Sequence, residues 1–311
     1  MQSSSQEQLV VAVSSRALFD LEKENKLFEE QGYAAFRDYQ IQMRNEPLRP
    51  GVAFPFVKRL LGLNRLFPDR EPFRVVALSR NSPETACRFF YSCRYYNLPI
   101  NAGAFTSGQS TFPYIKAYRV SLFLSANAAN VNRAIDAGLP GGLVLPSPAF
   151  QDNEEDSSLR IAFDFDGVLA NDESEICYQE KGLSAFEQHE AERASTPHEP
   201  GPLRDLFAKL SYFQRLDYRE RGTLNPHFCP AIRISIVTSR GAASEERLIT
   251  TLKSYGMSAA ELFLMDGLAK EDVLEVIQPH IFFDDQIRHL EKTQRFIPSV
   301  LVPFGIHNKK Q

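Results

Sequence analysis

Leu159-Arg160-Ile161-Ala162-Phe163-Asp164-Phe165-Asp166-Gly167-Val168-Leu169-Ala170 is the stretch whose reading decides the fold. A short apolar run of strand character climbs to Asp164, a second carboxylate follows two residues later, and Gly167 lets the chain turn. In a parallel α/β sheet, ligands bind outside the carboxyl ends of the strands. The pattern therefore sets two acids on the edge where chemistry is done. Taken alone, it fits a strand-end turn with solvated acids equally well.

Working outward, the chain has 311 residues, enough for one large or two ordinary α/β domains. Its net charge of −4 argues against a nucleic-acid-binding face, whereas a small anionic substrate needs only local positive charge. Cys87, Cys93, Cys177 and Cys229 lack paired metal-ligand spacing and read as reduced thiols of a cytoplasmic protein. Residues Met1 to Gln8 have no basic region, and Leu9 to Val13 is too short for a leader or a membrane span. No membrane association is expected.

Leu9 to Val13 reads as a buried strand, followed by an amphipathic helix from Ala17 to about Glu30, a stop at Gly32 and a further helix from Tyr33 to Met43. Ala53 to Leu66 is helical after Pro55. Strands follow at Phe73–Leu78, Ile100–Phe105, Val120–Leu124 and Gly142–Leu145, with helices from Ser82-Pro83-Glu84 to Tyr96 and over Ala128–Ala137. Pro146 to Ser158, with two prolines and a cluster of Asp, Glu and Ser, reads as a linker. After the opening motif, Asn171 to about Ala231 is mainly helical, broken at Pro197, Pro200, Gly201 and Pro202. Strands at Ile232–Val237, Leu262–Leu264, Ile281–Phe283 and Ser299–Val302 then alternate with helices Ser244–Tyr255 and Lys270–Ile277. Such alternation predicts Rossmann-like parallel sheets. The expected domains are 1–150 and 151–311, with an insertion over about 171–231.

The two halves look alike. Val11-Ala12-Val13-Ser14-Ser15-Arg16 aligns with Ile161-Ala162-Phe163-Asp164-Phe165-Asp166, and Val75 to Arg80 with Ser235 to Arg240. Ala104 to Gly108 aligns with Phe263 to Gly267, and Leu122 to Asn127 with the run ending at Gln286. Doubly wound units share a rhythm, so spacing alone leaves duplication and common architecture both open. In the first half the acids have become Ser14, Arg16, Ser125 and Ala126. That half reads as a degenerate, non-catalytic copy serving as scaffold, oligomer surface or effector site.

Cleaving an inert phosphate ester requires a nucleophile, a proton donor and positive charge for the phosphoryl oxygens. Asp164 is the candidate nucleophile and Asp166 the general acid. Thr238, at the end of an apolar strand, offers a hydroxyl, and the backbone N–H groups from Ser239 onward could hold phosphate. An ordinary helix N-cap explains Thr238 equally well. Lys270 could neutralise phosphate and carboxylate together, or simply be a solvated helix start. Asp284-Asp285 ends another strand. Oxygen ligands suit Mg²⁺, for which Asp164, Asp284 and the backbone carbonyl of Asp166 are the expected ligands, with Asp285 in support.

The ordered blocks Asp164/Asp166, Thr238, Lys270 and Asp284/Asp285 resemble the haloacid dehalogenase-like phosphohydrolases, with a helical cap between the first two blocks. Val13 to Asp20, Asp172-Glu173-Ser174-Glu175, Gly182 to Glu190 and Gly201-Pro202-Leu203 resemble the cytosolic 5′-nucleotidase type I family over almost the whole chain. The resemblance implies Mg²⁺-dependent hydrolysis of nucleoside 5′-monophosphates through an aspartyl-phosphate. The cap must then choose the substrate. Tyr178, Phe186 and Phe207 could stack on a base and His189 or Glu190 read its edge, unless they are cap core and surface. Phe186 and His189 are carried forward. Two other readings stay open, a capped phosphatase for another small phosphomonoester and a non-catalytic nucleotide-binding protein. The expected partner is a nucleoside monophosphate, not a nucleic acid polymer; self-association is left open.

Overall fold

The structure is a computed structural model that describes residues 8–148, 152–153, 155–223 and 228–308. Residues 1–7, read above as free of a leader, lie outside the described residues. So do 149–151 and 154 of the expected linker and 224–227 of the expected insertion. The chain forms two compact units, Met1–Gln151 and Asp152–Gln311.

The first unit is built on five parallel strands, β1 (Leu9–Val13), β2 (Phe73–Ser79), β3 (Gly103–Phe105), β4 (Leu122–Ser125) and β5 (Gly141–Val144). They pair in the order β3-β2-β1-β4-β5. The central runs are apolar at almost every position because helices cover both faces of such a sheet, and every residue of β1 is buried. The helices are α1 (Glu22–Gln42), α2 (Phe54–Gly62), α3 (Ala86–Tyr95) and α4 (Ala128–Asp136).

The second unit has strands β6 (Leu159–Phe163), β7 (Ile232–Thr238), β8 (Glu261–Leu264), β9 (Ile281–Asp284) and β10 (Ser299–Leu301). They are parallel in the order β8-β7-β6-β9-β10, the same order as in the first unit. Its helices are α5 (Glu173–Lys181), α6 (Leu183–Glu192), α7 (Arg204–Asp217), α8 (Glu245–Ser254), α9 (Lys270–Ile277) and α10 (Ile287–Thr293). The short α10, between Asp285 and the last strand, is absent from the sequence reading.

Sheet register corrects one alignment. Val13 pairs Ala77 as Phe163 pairs Ile236, and Ser79 pairs Phe105 as Thr238 pairs Leu264. Ser79 is therefore the counterpart of Thr238, one residue from where the shared Ser-Arg dipeptide put it, and Asn81 is the counterpart of Arg240. Backbone ladders, not dipeptide similarity, fix which residue ends the strand.

The likeness runs beyond the sheets. Helix α1 is interrupted at Gly32, with φ +81° and ψ −178°, and Gly182, with φ +82° and ψ 179°, separates α5 from α6. Only glycine reaches that backbone region without strain. Side-chain hydrogen bonds recur as well. Arg88 Nε donates to Glu46 O at 2.9 Å, and Arg247 Nε to Thr196 O at 3.0 Å. Leu48 N donates to Ser92 Oγ at 2.9 Å, and His198 N to Thr251 Oγ1 at 3.0 Å. Tyr96 and Tyr255 each donate to the carbonyl of Leu48 and His198 respectively. The common rhythm of α/β units does not require such detail.

Candidate active site

Two strand ends in the second unit build the centre. Asp164 follows β6, and its N–H donates to Phe283 O at 2.8 Å, which extends the ladder one residue toward β9. Its Oδ1 accepts from Phe165 N at 2.7 Å, and its Oδ2 lies 2.8 Å from Lys270 Nζ. Asp284 ends β9. Its Oδ1 accepts from Gln286 N at 2.7 Å, while its Oδ2 accepts from Lys270 Nζ at 2.8 Å. Lys270 opens α9, and its ammonium is buried between the two carboxylates. His289, in the first turn of α10, brings Nδ1 to 3.0 Å from Asp284 Oδ2.

Gly167 is needed here twice over. Its φ is +71°, and a Cβ would lie 2.6 Å from Asp285 Cγ. The turn therefore folds directly onto Asp285. Asp285 is buried, and its Oδ1 has no partner.

Three buried carboxylates share one ammonium, and their proton affinities show the strain. Burial, followed by Asp284 and Asp164, pushes Asp285 up to about 10. Burial also pushes Asp164 up to about 6; Lys270 opposes this and Asp284 adds to it. Burial alone would raise Asp284, but Lys270 and His289 outweigh it and hold the carboxyl below its usual range. Lys270 is held above the ordinary lysine value, because Asp164 and Asp284 overcome the cost of burying its charge.

Donor atoms of Asp164, Asp284 and His289 all lie within 4.8 Å of one another. Two carboxylates, an orphaned carboxylate oxygen on Asp285 and an excess of negative charge fit a hard divalent cation. The carboxylate of Asp166 is engaged elsewhere. Arg240 grips it with two hydrogen bonds, Nε to Oδ2 and Nη2 to Oδ1, both at 2.7 Å. A planar guanidinium matches a carboxylate in this way.

Arg240 continues into a buried network. It contacts Glu190, and its Nη2 lies 3.0 Å from His198 Nε2. Glu190 also accepts from Arg247 Nη1 at 2.9 Å and from Ser174 Oγ at 2.7 Å, and Arg247 pairs with Glu173. Burial would raise the Glu190 carboxyl. The hydrogen bond with His198, the charge of Arg240 and the bond from Ser174 outweigh that, and the net shift is downward. Helices α5 and α6 are thereby tied to the loop after β7.

Thr238 ends β7, the neighbour of β6, and is buried; Ser239 beside it is exposed. Thr238 Oγ1 accepts from Arg240 N at 3.4 Å, the local cap that its position allowed. Phe186 is half-buried, 5.4 Å from the Arg240 guanidinium, and Tyr178 meets its ring edge-on at 6.2 Å. His189 is half-buried, with Nε2 lacking a partner. Phe207 is fully buried, edge-on to Phe163 at 5.3 Å, so it is core rather than a stacking platform. Glu190 is locked in the arginine network rather than free to read a base. His289, Arg240, His198 and Arg247 are the residues that sequence reasoning missed. The dipeptide Ser239-Arg240 was visible, but not its partner 74 residues away at Asp166.

The sequence profile of the 5′-nucleotidase family matches residues 1–309. Human cytosolic 5′-nucleotidase 1B is 34% identical over 307 residues, which is 97% of this chain and 49% of that protein. The chain thus spans about half the length of this curated relative. No solved structure matches it significantly. A profile running from end to end, together with a third of all residues shared, shows that the chain belongs to the 5′-nucleotidase family.

Proposed function

We propose that the second unit hydrolyses nucleoside 5′-monophosphates to nucleosides and phosphate, with Asp164 as nucleophile. The observation that carries this reading is the buried Asp164–Lys270–Asp284 group at the strand ends of a chain in this family. Asp164 Oδ attacks phosphorus, the P–O ester bond breaks, and the leaving oxygen takes a proton from Asp166. Water then attacks the aspartyl-phosphate, loses its proton to Asp166, and frees Asp164 and phosphate. Lys270 holds the Asp164 carboxylate in place and offsets phosphoryl charge. Thr238 and the N–H groups from Ser239 onward receive the phosphoryl oxygens.

Asp164 and Asp284 are the side chains proposed to hold Mg²⁺, with the backbone carbonyl of Asp166. His289 steadies Asp284, and Asp285 supports the site from behind. When bound, the cation neutralises the phosphate and the acids around it. To reach the leaving oxygen, Asp166 must give up its two bonds to Arg240. The arginine network would then report on whether the helical segment over α5 and α6, the proposed cap, is closed. The half-exposed Tyr178 against Phe186 supports a substrate carrying a planar ring over a bare sugar phosphate. His189, with its orphaned Nε2, remains the candidate for the base edge.

The first unit is proposed as a copy of the second without its acids. A cytosolic location is proposed from the name of the human relative and the unpaired cysteines. Among the described residues no helix is long and apolar enough to cross a membrane. Phosphate release from AMP, IMP, deoxynucleoside monophosphates and sugar phosphates, with and without Mg²⁺, tests the reading. Activity that persists in Asp164→Asn would sink the mechanism, and preference for a sugar phosphate would sink the substrate class.

A further inference from the structure

The first unit carries a cavity of about 540 Å³ at the carboxyl end of its sheet. Clefts of this size hold small ligands. Its wall includes Ser14, Arg16, Ser79, Asn81, Ser125 and Asn127. By strand register and spacing these are the counterparts of Asp164, Asp166, Thr238, Arg240, Asp284 and Gln286. The cavity is therefore the first unit's version of the candidate active site, with its chemistry inverted.

The inversion is one of charge. Among the described residues the lining contains no carboxylate, and Arg16 and Arg80 are its charged side chains. Arg16 makes a long 3.5 Å contact with the exposed Glu22, and Arg80 Nε donates to Gly108 O at 2.9 Å. Three hydroxyls face the same space. Ser14 Oγ accepts from Ala17 N and Ala126 N, Ser125 Oγ from Asn127 N, and Ser79 Oγ from Ser15 Oγ and Asn81 N. Each oxygen is used as an acceptor, which leaves its own O–H to donate. Guanidinium groups and hydroxyl donors without a carboxylate make an anion site, and phosphate is the anion that such donors suit.

The remaining wall is aromatic. Phe28 and Tyr33, 47% and 45% exposed, stand on the wall with the buried Phe36. Phe28 meets Phe36 edge-on at 6.1 Å, in the arrangement Tyr178 and Phe186 adopt at 6.2 Å in the second unit. A phosphate grip beside a ring platform describes a nucleotide. Nothing here would cut it. Ser14 stands in the place of the proposed nucleophile and caps a helical turn, Arg16 replaces the proposed acid, and Thr111 stands where Lys270 does.

We infer that the first unit is a second nucleoside monophosphate site, which binds its ligand intact and without a metal. The ligand class rests on the catalytic reading of the second unit; the site itself does not. The test is equilibrium dialysis of AMP against the full-length Asp164→Asn protein. Two equivalents per chain are expected with Mg²⁺, and Arg16→Ala with Arg80→Ala should remove one of them. The same pair of substitutions in the otherwise native chain should leave phosphate release within about twofold, since neither residue lies in the catalytic unit. Adenosine should need at least about tenfold higher concentration than AMP to empty the site, because it lacks the charge the arginines bind.

Photolabelling with 8-azido-AMP gives a readout that needs no arginine variant to fold. Label is expected on peptides from 22–42 as well as from 173–192. A single equivalent that survives the arginine substitutions, with no label on 22–42, overturns the inference and leaves the catalytic reading standing. Label on 22–42 in a protein that never releases phosphate overturns the catalytic reading instead. Phosphate release that persists in Asp164→Asn and is lost with the two arginines shows that the first site is not inert.

Discussion

At the scale of single residues, the centre of the second unit is an electrostatic problem with one internal cation. Lys270 serves both Asp164 and Asp284, each at 2.8 Å, and all three side chains are buried. Removing one partner of a buried charged group leaves the others uncompensated, at a cost of about 3–5 kcal/mol. Lys270→Met should therefore lower stability by about that amount in urea unfolding and abolish phosphate release. Excess Mg²⁺ should restore part of the stability, because a divalent cation replaces the missing charge. A midpoint unchanged from the native chain would show that the carboxylates take up protons instead. His289 acts on the same group from the other side. His289→Ala should raise the Mg²⁺ concentration that gives half-maximal activity by about 10- to 100-fold, the usual effect of losing a group that orients a metal-binding carboxylate. A Mg²⁺ titration of phosphate release reads that shift.

At the scale of elements, helices α5 and α6 hold few apolar side chains against the unit, and what fastens them is Glu190 among Arg240, Arg247, His198 and Ser174. The pH dependence follows from the direction of its shift. The folded-state Glu190 carboxyl titrates below the unfolded value of about 4.3, so its stabilisation is complete above that value and is lost as pH falls through the depressed one. Glu190→Gln should lower the urea midpoint at pH 7 and flatten its fall below about pH 4. A variant with the native slope below pH 4 would remove Glu190 as the acid-labile fastening. The breaks between paired helices make the matching test in backbone terms. Gly32 and Gly182 share nearly the same dihedral angles, and an alanine at either must bear about 1–3 kcal/mol of strain. A Cβ at either glycine would meet no neighbour within 4 Å, so unfolding measurements on Gly32→Ala and Gly182→Ala should show similar losses. A neutral result at one of them would mean that its helix pair relaxes.

At the scale of the whole chain, what was legible is what repeats. Apolar runs such as Leu159–Phe163 and Ile281–Phe283 announce buried parallel strands, and Asp164 and Asp284, which come directly after them, mark the strand ends. Less visible was anything settled by a distant partner. Asp166 reads as a free acid until Arg240 is seen to hold it, Phe207 reads as a ring platform until Phe163 covers it, and α10 is too short for its period to show. Burial likewise separates the four cysteines, which look alike in sequence. Each unit has one exposed thiol, Cys87 and Cys229, and one buried thiol, Cys93 and Cys177. Burial pushes Cys93 up to about 12, so at pH 8 only about one molecule in 10⁴ carries its thiolate, the reactive form. Two thiols per chain should react with a disulfide reagent in the native protein, and Cys93 should react only as the first unit opens. The rate at Cys93 should stay tied to unfolding in urea, whereas Cys87 and Cys229 should react in the folded chain. Mass mapping of the modified peptides checks this thiol by thiol. Fast native modification of Cys93 would show that α3, the helix that buries it, opens far more readily than its packing implies.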